Sequence, residues 1–301
     1  LTVSIYYICT LFRSSSTSNG MKKTIKKKKR KIGTLMNVCG VSCFANASLQ
    51  LLSSSLAMVK FMSESDTLVF RKLADLLKEL NVTCTVINPK ALYQLLYSSH
   101  LKLPSINQQQ DAHEFLLLLL DQLNFDKTKK HHSTVIKKLA PYEGLYSQFV
   151  FCTRCEMHKK RTLRLYSAAI LHCQLTESVS KSVKMHLNYT NVHGSCTRCG
   201  CENTLYMKHD VQRPPMVLLI HLNRTGSYGR KLNATVKMEK RLLLFSENFE
   251  YRLKGWIEHY GHGTSSGHYV TVKQHNGQWF RLSDAHCEQW DLFPTTAVPY
   301  V

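Results

Sequence analysis

The sequence predicts an α+β protein, and three observations carry that prediction. In the first half of the chain apolar residues recur at three- and four-residue steps. After about residue 135 they shift to short runs rich in β-branched and aromatic residues. Turn formers separate those runs. Helices first and strands later is the order of an α+β architecture, not of alternating βαβ units. With 301 residues, 44% of them apolar, the chain can bury a full core without disulfide staples.

Taken in order, residues 1–32 read as a disordered basic tail. The stretch Leu1 to Phe12 is apolar but short. It lacks a basic lead and a small-residue cleavage site, which argues against a signal peptide. Met21 opens a basic run, so residues 1–20 read as sequence upstream of the working protein. Lys22 to Lys31 holds eight Lys/Arg and no acid, nearly half of the net charge of +20. A run of this kind is a solvated arm or a nuclear address, and its field would favour nucleic acid only through salt-sensitive contacts. No stretch has the apolar length needed to span a bilayer. An intracellular protein, nuclear or cytoplasmic, is expected, and a monomer.

From Gly33 the pattern tightens. Phe44 to Leu52 reads as a helix with Cys43 at its first turn. Phe61 to Leu80 carries helical spacing through Leu68, Phe70, Leu73, Leu76, Leu77 and Leu80. Asp111 to Leu123 is a third helix, with Phe115, Leu116, Leu119, Leu120 and Leu123 on one face and an acid at the start, where the helix dipole favours it. Gln148 to Phe151, Val217 to Leu222, Tyr269 to Lys273 and Trp279 to Leu282 read as strands. His275-Asn276-Gly277 supplies a hairpin turn between the last two.

Three strings carry chemistry. Gly40-Val41-Ser42-Cys43-Phe44-Ala45-Asn46-Ala47-Ser48-Leu49-Gln50 puts a thiol at a helix N-terminus, where the dipole favours thiolate. Taken alone, a small buried cysteine is the commoner meaning. Gln109-Gln110-Asp111-Ala112-His113-Glu114-Phe115-Leu116 opens the third helix. Gly267-His268-Tyr269 is followed by Trp279 and Asp284. Independently, Cys152-Thr153-Arg154-Cys155 and Cys196-Thr197-Arg198-Cys199 are paired CxxC knuckles. Each presents two thiolates, and two knuckles complete a tetrahedral structural zinc site on Cys152, Cys155, Cys196 and Cys199, with Cys201 as a substitute ligand. Eleven cysteines, an odd number without short even spacing, fit a metal site in a reducing compartment better than a disulfide framework.

The three strings, in this order, resemble the cysteine box, the central signature and the histidine box of the ubiquitin-specific proteases. The resemblance covers residues 33–301. It implies a papain-like fold with a helical thumb at about 33–135, zinc-bearing β fingers at about 145–225 and a β palm at about 226–301. It further implies a thiol-dependent enzyme that hydrolyses the bond after the C-terminal glycine of ubiquitin, with ubiquitin and ubiquitinated proteins as partners. By position Cys43 is the expected nucleophile and His268 its general base and then acid. Gln110, Asp111 and Glu114 line the channel for the extended ubiquitin tail, with Asp111 gripping a guanidinium or simply capping its helix. His259 and Tyr269 line the loop beside the site. His221, in the strand after the second knuckle, is expected to be a core residue and not a ligand.

Two departures stand out. The family's asparagine five residues before the cysteine, an oxyanion donor, falls on Val38; Asn37 is one residue further off and reaches only through a bulge. Removing one such donor typically costs about 10²–10³ in turnover. The residue that orients the histidine falls on Ser283, with Asp284 beside it. A weak or inactive ubiquitin-binding relative on the same fold, or a protease for another ubiquitin-like modifier, are the alternatives these departures leave.

Overall fold

A computed structural model describes residues 4–12, 32–98, 108–128, 140–156, 158–168, 170–226, 231–232, 234–245, 249–261 and 266–297. Three helices follow the sequence pattern. Helix α1, Cys43–Ser53, is buried on every side, as a helix at the centre of a domain must be. Its buried polar side chains turn mostly to backbone carbonyls. Ser48 Oγ donates to the Phe44 carbonyl at 2.8 Å, and Gln50 Nε2 to that of Gly33 at 2.9 Å. Helix α2, Leu56–Ser63, is capped by Ser55. Helix α3, Leu68–Glu79, buries Phe70, Leu73, Ala74, Leu76 and Leu77. The expected single stretch Phe61 to Leu80 is thus two helices, broken at Ser65-Asp66-Thr67, where short polar side chains compete for the backbone. Helix α4, Lys90–Ser98, precedes α5, Ala112–Thr128, and α6, Val179–Leu187, lies among the strands.

The strands are β1 Ser4–Phe12, β2 Thr34–Leu35, β3 Val86–Ile87, β4 Gly144–Cys152, β5 His158–Ala168, β6 Ile170–Gln174, β7 Thr190–Val192, β8 Leu205–Arg213, β9 Val217–Asn223, β10 Val236–Lys237, β11 Arg241–Leu243, β12 Glu250–Tyr260, β13 His268–His275, β14 Gln278–Ser283, β15 His286–Trp290 and β16 Thr296–Ala297. The main sheet runs β15-β14-β13-β12-β1-β9-β6, with β11 sharing an edge of β12. All its pairs are antiparallel except β6 with β9. A separate sheet, β5-β4-β8-β7, carries the knuckles. Asn276 and Gly277 both take positive φ, 50° and 83°, as the two-residue turn between β13 and β14 demands.

The first stretch of the chain corrects an expectation. Residues 4–12 are not part of a disordered tail; they form β1 between β9 and β12, with Ile8 and Cys9 fully buried. The basic run Lys22–Lys31 lies outside the described residues. The span 145–225, expected as fingers, is also divided. Strands β6 and β9 belong to the main sheet, and only β4, β5, β7 and β8 form the smaller one.

Helix α1 joins the two halves. It packs on α2, α3 and α5 on one side and on β12, β13 and β14 on the other. Thr271 Oγ1 of β13 donates to the Ala47 carbonyl of α1 at 2.7 Å. The N-terminus of α1, with Cys43, is thereby set against the start of β13, with His268.

Candidate active site and metal centre

Three chain segments meet at Cys43. The residue is 3% exposed at the head of α1. Burial pushes its thiol pKa up; the backbone of Tyr269 pulls it down, Asp284 pushes it up, and the backbone of Phe44 and of Cys43 itself pulls it down. Burial wins. The Tyr269 backbone, one residue past His268, thus lies near the Cys43 sulfur.

His268 opens β13 with its side chain 39% exposed. Its Nε2 lies 2.8 Å from Ser283 Oγ at the end of β14. Asp284 Oδ2 is 3.9 Å from the same nitrogen, too far for a direct hydrogen bond. With Nε2 held by Ser283, Nδ1 is the ring nitrogen left for proton exchange. Of the two expected candidates for the orienting role, Ser283 is the one in hydrogen-bond contact with the ring.

Asp284 is the anchor of a network that the sequence did not reveal. Its φ of 50° is a left-handed conformation that Asp tolerates better than most residues. Its two oxygens accept from two amides: Oδ2 from Asn37 Nδ2 at 2.8 Å, and Oδ1 from Asn46 Nδ2 at 2.7 Å. Asn46 in turn accepts from Tyr93 OH at 2.5 Å. Asn37 Oδ1 takes the Ser42 N–H at 3.0 Å and the Ser42 hydroxyl at 3.1 Å. Asn37 thus braces the turn Val38–Gly40, where Cys39 adopts a φ of 58°, and commits one amide hydrogen to Asp284. Asn46 stands inside the cysteine string, but its partner 238 positions away could not be read from spacing.

The segment Gln109 to Glu114 sits beside this centre. Asp111 is 3% exposed, and its Oδ1 accepts the His113 N–H at 2.7 Å, capping α5. Gln110 is half-buried and Glu114 is exposed. Gln109, which is exposed, makes a reciprocal pair with Gly267: its Nε2 donates to the Gly267 carbonyl and its Oε1 accepts the Gly267 N–H, both at 3.3 Å. That pair ties the head of α5 to the residue before His268.

Tyr269 is buried, its hydroxyl hydrogen-bonded to the Ala112 backbone. His259 is buried against the Tyr269 ring, 4.6 Å between centroids. Burial, then the charges of Lys231 and His268, push its pKa down to about 4. It is a neutral support behind the site and not the base. Lys231 Nζ donates to the carbonyls of His259 and Gly261, at the end of β12, at 2.9 and 2.8 Å.

The knuckles come together at the tip of the smaller sheet. Cys152, Cys155, Cys196 and Cys199 place all four sulfurs within 4.8 Å of one another, with the 152–199 and 155–196 pairs at 3.7 Å. A tetrahedron of thiolates about 2.3 Å from a zinc ion has edges of about 3.8 Å, so the set fits that metal. Cys201 is outside it, its Sγ 3.7 Å from the Cys199 carbonyl. His221 is buried in β9, as expected of a core residue, but it has company: His113 and His172 lie against it.

Comparison with known proteins points one way. The profile of the family described as ubiquitin carboxyl-terminal hydrolase matches residues 35–297. Ubiquitin carboxyl-terminal hydrolase 25 of Arabidopsis thaliana is 26% identical over 293 residues, covering 82% of this chain and 43% of the relative. Ubiquitin carboxyl-terminal hydrolase 36 of Drosophila melanogaster is 22% identical over 295 residues, covering 86% of this chain and 28% of the relative. The chain thus spans less than half the length of these relatives. In fold it is similar to a yeast SAGA DUB module, with a TM-score of 0.69 at 17% identity, covering 90% of this chain and 67% of that one. A second similar structure is the SAGA Ubp8/Sgf11/Sus1/Sgf73 DUB module bound to ubiquitin aldehyde, with a TM-score of 0.66 at 17% identity, covering 90% and 68%. The α+β fold is that of these structures.

Proposed function

The chain belongs to the ubiquitin carboxyl-terminal hydrolase family, and on that premise we propose that it is a thiol-dependent deubiquitinase acting on the bond after the C-terminal glycine of ubiquitin. His268 takes the proton of the Cys43 thiol as the sulfur attacks the carbonyl carbon. It then gives that proton to the departing amine, leaving a thioester that water, deprotonated by the same imidazole, hydrolyses to free carboxylate. Ser283 holds the ring through Nε2, and Asp284 steadies Ser283's neighbourhood and the Asn37 and Asn46 amides. The second hydrogen of Asn37 Nδ2, with the backbone N–H groups at the head of α1, supplies the oxyanion donors.

The supporting observation is that Cys43, at the head of α1, lies near the Tyr269 backbone, one residue past His268, whose ring is held by Ser283. The raised thiol pKa means that Cys43 rests as a thiol and depends on His268 to become a nucleophile. Glu114, exposed at the head of α5, is better placed than the buried Asp111 to meet an arginine of the ubiquitin tail. The four knuckle cysteines hold a structural zinc ion, which supplies the cross-link for a small sheet with little core of its own.

The test uses ubiquitin carrying an electrophile at its C-terminus. Wild type should be labelled on Cys43, and Cys43→Ala should not. Binding of ubiquitin without labelling would instead select a pseudo-enzyme, the reading favoured by a serine at the orienting position. Labelling by probes built on other modifiers, and not by the ubiquitin probe, would change the substrate.

A further inference from the structure

We propose that His113, His172 and His221 form a second divalent-metal site, one that takes Zn²⁺ or an ion of similar ligand preference with water in the remaining position. The three residues come from three elements. His172 of β6 and His221 of β9 are direct partners in the parallel pairing of those strands, so their side chains stand side by side on one face of the sheet. His113, the second residue of α5, lies over both. The ring centroids are 4.3 Å apart for His113 and His221, 4.8 Å for His113 and His172, and 5.1 Å for His172 and His221.

The ligand atoms already converge. Nδ1 of His172 and Nδ1 of His221 are 3.1 Å apart, and one nitrogen from each of the three rings falls within 4.8 Å of the others. Nitrogens held about 2.0–2.1 Å from a tetrahedral ion lie about 3.3–3.4 Å from one another. One edge of that triangle is therefore in place, and the others close by tilting His113 away from its stack on His221, where the rings are 8° from parallel. Three imidazoles with an open fourth position is the donor set of a site that keeps a water, unlike the closed four-thiolate site at the sheet tip.

The surroundings are graded as a metal site requires. His221 is 5% exposed, His113 half-buried and His172 exposed, so an ion has a floor, a wall and an entrance. An ion here would tie the head of α5, which also carries the cap Asp111 and the Gln109 latch on Gly267, to the main sheet.

The decisive measurement is metal stoichiometry in the whole chain. Zinc is titrated against a chromophoric chelator, with a parallel cobalt titration whose visible spectrum separates thiolate from imidazole ligation. Wild type should bind two ions per chain, the weaker without thiolate charge-transfer bands. His172→Gln, at an exposed position that folding does not need, should lose the weaker ion and keep the thiolate-bound one. His275→Gln, a histidine elsewhere on the sheet, should keep both. A single ion in wild type would overturn the proposal, and so would a second ion that survives His172→Gln.

Discussion

At the scale of single residues, the proposed mechanism has Ser283 and Asp284 divide between them what one carboxylate does in a catalytic triad. The hydroxyl sets the tautomer of His268 at 2.8 Å, while the carboxylate, 3.9 Å from the ring, holds two asparagines. Their variants should therefore fail differently. Ser283→Ala should lower kcat on a ubiquitin–fluorophore substrate by about 10- to 100-fold. That is less than the ~10⁴ lost when a triad's orienting carboxylate is changed, because the Asp284 charge stays near. Its unfolding midpoint in urea should barely move. Asp284→Ala takes the acceptor from Asn37 Nδ2 and leaves Asn46 Nδ2 only the Met36 carbonyl at 3.2 Å, and a buried polar group that loses its partner costs about 1–3 kcal/mol. It should lose activity and stability together. Equal stability loss in the two variants would show that Asp284 is not the anchor described.

At the scale of elements, the loop before β13 and the strand β1 each make a prediction. A Cβ at Gly267 would run into the His259 ring and the Tyr260 carbonyl. Backbone cannot give way cheaply, so Gly267→Ala should push His268 off its mark. A displacement of about 1 Å can cost about 10² in rate; kcat/KM should drop on that order with the melting temperature nearly unchanged. Normal turnover in that variant would mean that the loop re-forms without loss. Strand β1 is tested through Ile8, fully buried between β9 and β12. Ile8→Ala should cost about 2–5 kcal/mol by urea unfolding, and an unchanged midpoint would show that the strand does not sit in the sheet. The same elements show what was legible. Helices α1, α3 and α5 and strands β9, β13 and β14 announce themselves because their apolar periods match one buried face or two. Strand β1 did not, because a continuous apolar run ahead of a Ser- and Lys-rich stretch looks like a tail until its two neighbours, more than 200 positions away, are known. Strands β5 and β8 are rich in Lys, Arg and His, and α4 and α6 are only nine residues long. Neither kind carries enough apolar period to be seen. Of the site, the residues named by the three strings were legible; the braces Asn46, Tyr93 and Ser42 were not, since their roles depend on tertiary approach and not on spacing.

At the scale of the whole molecule, two buried bases set how stability should vary with pH. Burial pushes Lys273 down to about 7 from an ordinary 10.5; its Nζ donates to Ser53 Oγ at 2.7 Å inside the junction of α1 and β13. His259 is pushed down to about 4 from 6.5. Each group holds its proton more weakly in the folded chain than in the unfolded one. Between pH 4 and 6.5 the unfolded state therefore carries an extra proton on His259, and between 7 and 10.5 one on Lys273. Stability must rise with pH across both windows, each group contributing a slope of at most about 1.4 kcal/mol per pH unit. Below the folded value both states are protonated and that group's slope vanishes. Other titrations overlap these, so the useful quantity is a difference between variants. Urea unfolding of wild type and Lys273→Met, compared at pH 7.5, 8.5 and 9.5, should show a shallower rise in the variant, whatever its absolute stability. Parallel curves over that range would mean that Lys273 keeps its charge in the folded core, held there by Ser53 and Asn81. The joint between helices and sheet would then rest on a buried cation and not on a neutral amine.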